Sequence, residues 1–71
     1  MKYLIMEIQT AADGSVSHLV TDHGSKSEAE QKYHQVLSYA AVSNCAFHSA
    51  VMLTDRGDWI KSETFEHEVT A

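Results

Sequence analysis

Four segments of this chain alternate like β-strands but carry apolar side chains on both faces, while only one segment has the periodicity of a helix. In Tyr3 to Thr10, Leu4, Met6 and Ile8 share one face; Tyr3 and Ile5 lie on the other, followed by Glu7 and Gln9. In Phe47 to Thr54, Val51 and Leu53 oppose Ala50 and Met52, and in the segment from Trp59 to about His67, Trp59 opposes Ile60. A single helix covers one face of a sheet. The other face is left asking for cover, because each large apolar side chain left in water forfeits roughly 1.5 to 3 kcal/mol.

The chain has 71 residues. At this length only ~60% of the unfolded surface is buried on folding, so a single domain has little stability to spare. The 44% apolar content predicts one compact domain over residues 1–71, without the polar bias of a disordered segment.

Two hairpins are written in the same way. Tyr3 to Thr10 leads through Ala11-Ala12-Asp13-Gly14-Ser15 into Val16 to Asp22, and Phe47 to Thr54 leads through Asp55-Arg56-Gly57-Asp58 into the last strand. Asp-Gly between two such runs is a strong hairpin signal. Gly14 supplies the positive φ needed by either a two-residue loop or a three-residue loop with a bulge, and the sequence leaves both open. The difference matters, since a slip of one residue exchanges the faces.

Between the hairpins, Ser25 to about Val42 reads as a helix. Ser25 with Glu28 matches a capping box, and Ser27 with Glu30 offers the same arrangement two residues on. Ala29, Tyr33, Val36, Leu37 and Ala40 form one stripe, with Gln31, His34, Gln35 and Ser38 opposite. The alanines allow a close approach to the strands, and Asn44 is a natural left-handed stop. The expected fold is α+β, in the order ββαββ: two antiparallel hairpins in a four-stranded sheet, with the helix on one face, that of Leu4, Met6 and Ile8. The patch left over, with Tyr3, Ile5 and Trp59 as anchors, is where a second chain is expected, most simply a homodimer that packs open faces together or pairs edge strands. The competing cover is the tail from Glu66 to Ala71, which is short and carries Glu66, His67 and Glu68.

Charge and chemistry narrow the function by exclusion. The formal charge is −5, with only five Lys and Arg, too few for a groove that neutralises phosphates. Nucleic acid is not an expected partner, although Tyr3, Tyr33, Tyr39, Phe47, Trp59 and Phe65 could stack bases if cations were interleaved among them. The N-terminal aliphatic run is too short for a signal core or a membrane span, and no membrane partner is expected. One cysteine, Cys45, makes no internal disulfide and suits a reducing cytoplasm. Five histidines show no metal-ligand spacing; Asp22, His23 and His67 are the best donors if a metal binds at all. Cys45 with His48 lacks a third orienting group, so a buried thiol is the simpler reading. The isolated glycines make no phosphate loop. No enzyme, cofactor or metal is expected.

The string Glu28-Ala29-Glu30-Gln31-Lys32-Tyr33-His34, with the later Tyr39-Ala40-Ala41-Val42-Ser43 set between the two hairpins, resembles a group of small uncharacterised proteins from gut-associated Firmicutes and their phages. The resemblance spans nearly the whole chain and brings no activity or functional residues with it. It implies a bacterial or prophage accessory protein, near head or tail genes. The primary expectation is a small non-enzymatic interaction or assembly protein that self-associates through its open sheet face. The alternative is an acidic phage-type inhibitor or decoy that engages a basic host protein through Glu28, Glu30 and neighbouring carboxylates.

Overall fold

The structure, a computed structural model, describes residues 1–67. Strands β1 (Tyr3–Thr10) and β2 (Val16–His23) form the first hairpin, helix α1 (Lys26–Ala40) follows, and β3 (Phe47–Thr54) with β4 (Trp59–Glu66) forms the second. The four strands make one antiparallel sheet in the order β2-β1-β3-β4. The α+β fold and the ββαββ order expected from the sequence are those observed. The hairpins meet through their first strands, so the most apolar strands are central and β2 and β4 are the edges.

Both hairpins close with the same three-residue loop. Gly14 N–H donates to Ala11 O (3.0 Å) and Ala11 N–H to Ser15 O (2.8 Å); at the other loop Gly57 N–H donates to Thr54 O (3.0 Å) and Thr54 N–H to Asp58 O (2.8 Å). Gly14 and Gly57 sit at φ 89° and 87°, as the bulged three-residue loop requires. The loops are also braced by side chains: the Asp13 carboxylate accepts from the Ser15 N–H and hydroxyl, and Thr54 Oγ1 accepts from the Arg56 and Asp58 N–H groups.

The helix starts where its cap dictates. Ser25 is extended and its hydroxyl accepts from the Glu28 N–H, which settles the register in favour of Ser25 over Ser27. The helix ends earlier than the sequence suggests. Its C-cap Ala41 stays right-handed and donates its N–H to Leu37 O, and the next N–H, of Val42, donates to Tyr39 O. Asn44 is not a left-handed stop: among the described residues no non-glycine residue has positive φ. The chain tightens into short turns after Ala40 instead, so no left-handed residue is needed.

The principal correction concerns the faces. Helix α1 lies over Tyr3, Ile5 and Glu7 of β1, and over His48, Ala50 and Met52 of β3, rather than over Leu4, Met6 and Ile8. The core contains Ile5, Ala29, Tyr33, Val36, Ala50 and Met52, with Tyr3, Leu37 and Ile60 packed against it. It is thin. Among the described residues Ile5, Met52 and Val36 are the large side chains that are fully buried, and the alanines mark where helix and sheet approach closely. Glu7 disguised this face in the sequence. It looks solvent-directed but is held inside by His48, whose Nε2 lies 2.6 Å from Glu7 Oε2 while the imidazole is 3% exposed.

A bulge in β4 settles the rest. Leu53 pairs with Trp59, but Met52 pairs with Lys61, so Ile60 is the extra residue. Trp59 therefore stays on the open face, while Ile60 packs on the core and Lys61 turns toward the helix. There its ammonium bonds Glu30 at 2.6 Å and sits 4.8 Å above the Tyr33 ring centre.

Candidate interaction surface

The face away from the helix is built by alternation alone. Pairing across β1 and β2 sets Leu4 beside Asp22, Met6 beside Val20, Ile8 beside His18 and Thr10 beside Val16. Pairing across β1 and β3 adds Leu53, Val51, Ser49 and Phe47, and β4 adds Trp59, Ser62, Thr64 and Glu66. The middle of this field carries no charge. Its charged groups, Asp22 and Glu66, lie at strand ends, and Lys2 Nζ holds Asp22 at 3.1 Å. That ammonium keeps the Asp22 carboxyl below the usual carboxylate range.

No described element lies over this face. Val16, Val20, Phe47 and Trp59 are exposed, Trp59 by 63%, and Leu4, Met6, Ile8, Val51 and Leu53 are only half-buried by their neighbours in the sheet. Residues 68–71, the part of the tail read from sequence as a competing cover, lie outside the described residues. The three expected anchors divide between the faces. Ile5 is 1% exposed beneath the helix, Tyr3 is half-buried on that same side, and Trp59 alone stands on the open face. The apolar set of the open face is thus Leu4, Met6 and Ile8 with Val20, Val51, Leu53 and Trp59. The small residue Ala50 was the signal for this: on β3 it identifies the parity that faces the helix.

The polar candidates do not converge. Asp22 and His23 end β2 beside Tyr3, whereas His67 lies past the opposite end of the sheet, with its Nε2 2.6 Å from Ala40 O. His23 Nε2 is engaged by Thr21 Oγ1 at 2.9 Å. Among the described residues no three His, Cys, Asp or Glu side chains are placed to hold a metal. The Cys45 thiol is directed to Gln9 Oε1, 3.7 Å away, and His48 to Glu7. Glu30, one of the carboxylates of the decoy reading, is held by Lys61 and approached by His34 Nε2 at 3.5 Å, and Lys61 foremost lowers its pKa. Two shallow clefts flank β2, one of about 450 Å³ between His23 and the helix residues Glu28, Gln31, Lys32 and Gln35, the other of about 140 Å³ beside Glu7, Gln9 and Leu19. Ser17 and His18 also line the second cleft, but among the described residues no hydrogen bond joins the Ser17 hydroxyl to His18 or to Glu7, whose carboxylate is engaged by His48.

No described helix is long and apolar enough to cross a membrane. No protein-family model matches the chain, and neither the curated proteins nor the solved structures contain a match to it.

Proposed function

We propose that this chain is a non-enzymatic assembly protein, and that the open face of its sheet packs against the same face of a second copy about a two-fold axis. The observation that carries this reading is the apolar field, uncharged at its centre, to which all four strands contribute and above which no described element lies. A four-stranded face with eight residues per strand measures roughly 19 by 26 Å, about 500 Å² before side-chain relief is counted. Nine of the sixteen side chains on it are apolar, so the apolar part is roughly 300 Å², a size at which patches on monomers are often functional. Two such faces together reach the ~1,000 Å² at which specific interfaces begin.

A second copy suits the face better than a charged partner does. The face is neutral at its centre, so two copies meet without opposed charges, and a sheet packed on itself completes the core that α1 supplies on one side only. Helices then form the outer layers. The acidic decoy draws less support, since Glu30 and Asp22 already have intramolecular cations. A reducing cytoplasm remains the compartment that suits Cys45, which is free.

Trp59 is the chain's one tryptophan and stands on the proposed contact, so its fluorescence tests the reading without a label. Emission should be blue-shifted at high protein concentration and move to the red on dilution, as the indole returns to water. Emission that stays red at every concentration contradicts the proposal.

A further inference from the structure

The edges of the sheet differ in a way that points to a second contact. An exposed strand edge offers unpaired N–H and C=O groups, which proteins blunt with bulges, charges or proline. Edge β4 is blunted by the bulge at Ile60 and by Lys61, Glu63 and Glu66. Edge β2 is not. It pairs with β1 over eight residues without a register shift, and its one carboxylate, Asp22, is tied to Lys2.

The phase of β2 is fixed by the Ala11 N–H to Ser15 O bond. Hydrogen-bonded pairs alternate along an antiparallel ladder, so Ser17, Leu19, Thr21 and His23 turn their backbone groups to β1, while Val16, His18, Val20 and Asp22 turn theirs outward. We propose that β2 pairs antiparallel with β2 of a second copy about a two-fold axis at Val20.

Faces match only when the axis passes through a residue rather than between residues, which leaves few registers. Centred on His18, imidazole faces imidazole. Centred on Leu19, Val16 opposes a carboxylate; on Thr21, Val20 does; on Asp22, two carboxylates oppose each other. Centred on Val20, His18 lies opposite Asp22 of the second copy, twice by symmetry, Val20 meets itself, and Leu19 meets Thr21. This register alone pairs an imidazole donor with each carboxylate and leaves no apolar residue opposite a charge. Gly24, which then faces Val16 of the second copy, has open space around it.

The axis of this contact is normal to the sheet, whereas face packing uses an axis in the sheet plane. Together they generate a closed tetramer of two eight-stranded sheets, with helices outside and only the bulged β4 edges free. The tetramer rests on the face packing proposed above; the edge contact does not.

Mass in solution separates the two. The wild-type chain is expected at four times its 7.9 kDa protomer. Val20→Pro removes an outward N–H and leaves the ladder to β1 intact, as proline is tolerated at an edge, and should halve that mass. His18→Asp, which sets carboxylate against carboxylate, should halve it too, and His18→Asp with Asp22→His should restore it; this charge exchange decides the matter if the proline variant fails to fold. Val51→Lys, on the open face, should leave an edge-joined dimer. If Val20→Pro and His18→Asp keep the wild-type mass while Val51→Lys lowers it, the edge contact is refuted and face packing stands. If Val51→Lys changes nothing while the edge variants lower the mass and the charge exchange restores it, the edge stands and face packing is refuted; if the exchange does not restore it, the edge contact is refuted, because Val20 and His18 also lie on the open face.

Discussion

One core side chain, polar in part, carries more than its size suggests. Tyr33 lies under Lys61 in the core, and burial foremost, with Glu63 next, raises its phenol pKa above the ordinary 10.0. A raised phenol pKa means that the fold favours the neutral form. Its contribution is complete below the unfolded value and is lost as pH rises through the folded one. Chemical denaturation on either side of pH 10 should show a loss of stability at the alkaline end that is smaller in Tyr33→Phe; an equal loss in both proteins contradicts the assignment. Met52, by contrast, is simply buried. Met52→Ala should cost about 2 to 5 kcal/mol at every protein concentration, read from urea melts. Met6→Ala on the open face should instead show a cost that grows with concentration, as the proposed association would complete the burial of a side chain that the protomer leaves half-buried. The pair Glu7 and His48 hides the inner face in the sequence. The sequence shows two polar residues at strand positions, and nothing in the alternation says that they satisfy each other inside the fold.

The secondary structure elements themselves were legible. Strand alternation, the Asp-Gly and Arg-Gly loops and the Ser25 cap predict four strands and a helix within a residue or two of those observed, because each rests on local chemistry. What was not legible is long-range. The β4 bulge depends on how Ile60 and Lys61 meet α1, and no local signal in Trp59-Ile60-Lys61 announces an extra residue. The end of α1 follows the same rule: Asn44 is competent for a left-handed stop, but the turn after Ala40 makes one unnecessary. The loop glycines offer a direct check on the hairpins. A Cβ at Gly14 or Gly57 meets no atom within 4 Å, so substitution by alanine costs only backbone strain, about 1 to 2 kcal/mol each. The loops lie at opposite ends of the sheet, and the double variant should lose the sum within a few tenths of a kcal/mol. A much smaller loss, measured in urea melts, would mean that the loops do not hold positive φ.

For the molecule as a whole, the informative feature is the imbalance between its two sheet faces. One carries a helix and a thin core in which three large side chains are fully buried; the other carries an apolar field of comparable breadth under no described element. The sequence announces this imbalance and mistakes which face is which. The error moves Tyr3 and Ile5 inward and puts Leu4, Met6 and Ile8 outward, while Trp59 keeps its place. The proposed second copy would have to offset an association cost of roughly 4 to 15 kcal/mol, and complete burial returns about 1.5 to 3 kcal/mol for each large apolar side chain. Sedimentation equilibrium of the wild-type chain beside Val51→Lys tests this most directly. The wild-type protein should weigh more than its 7.9 kDa protomer at high micromolar concentration and lose mass when lysine stands at position 51. A wild-type chain that sediments as a single protomer at every concentration would contradict self-association through the open face.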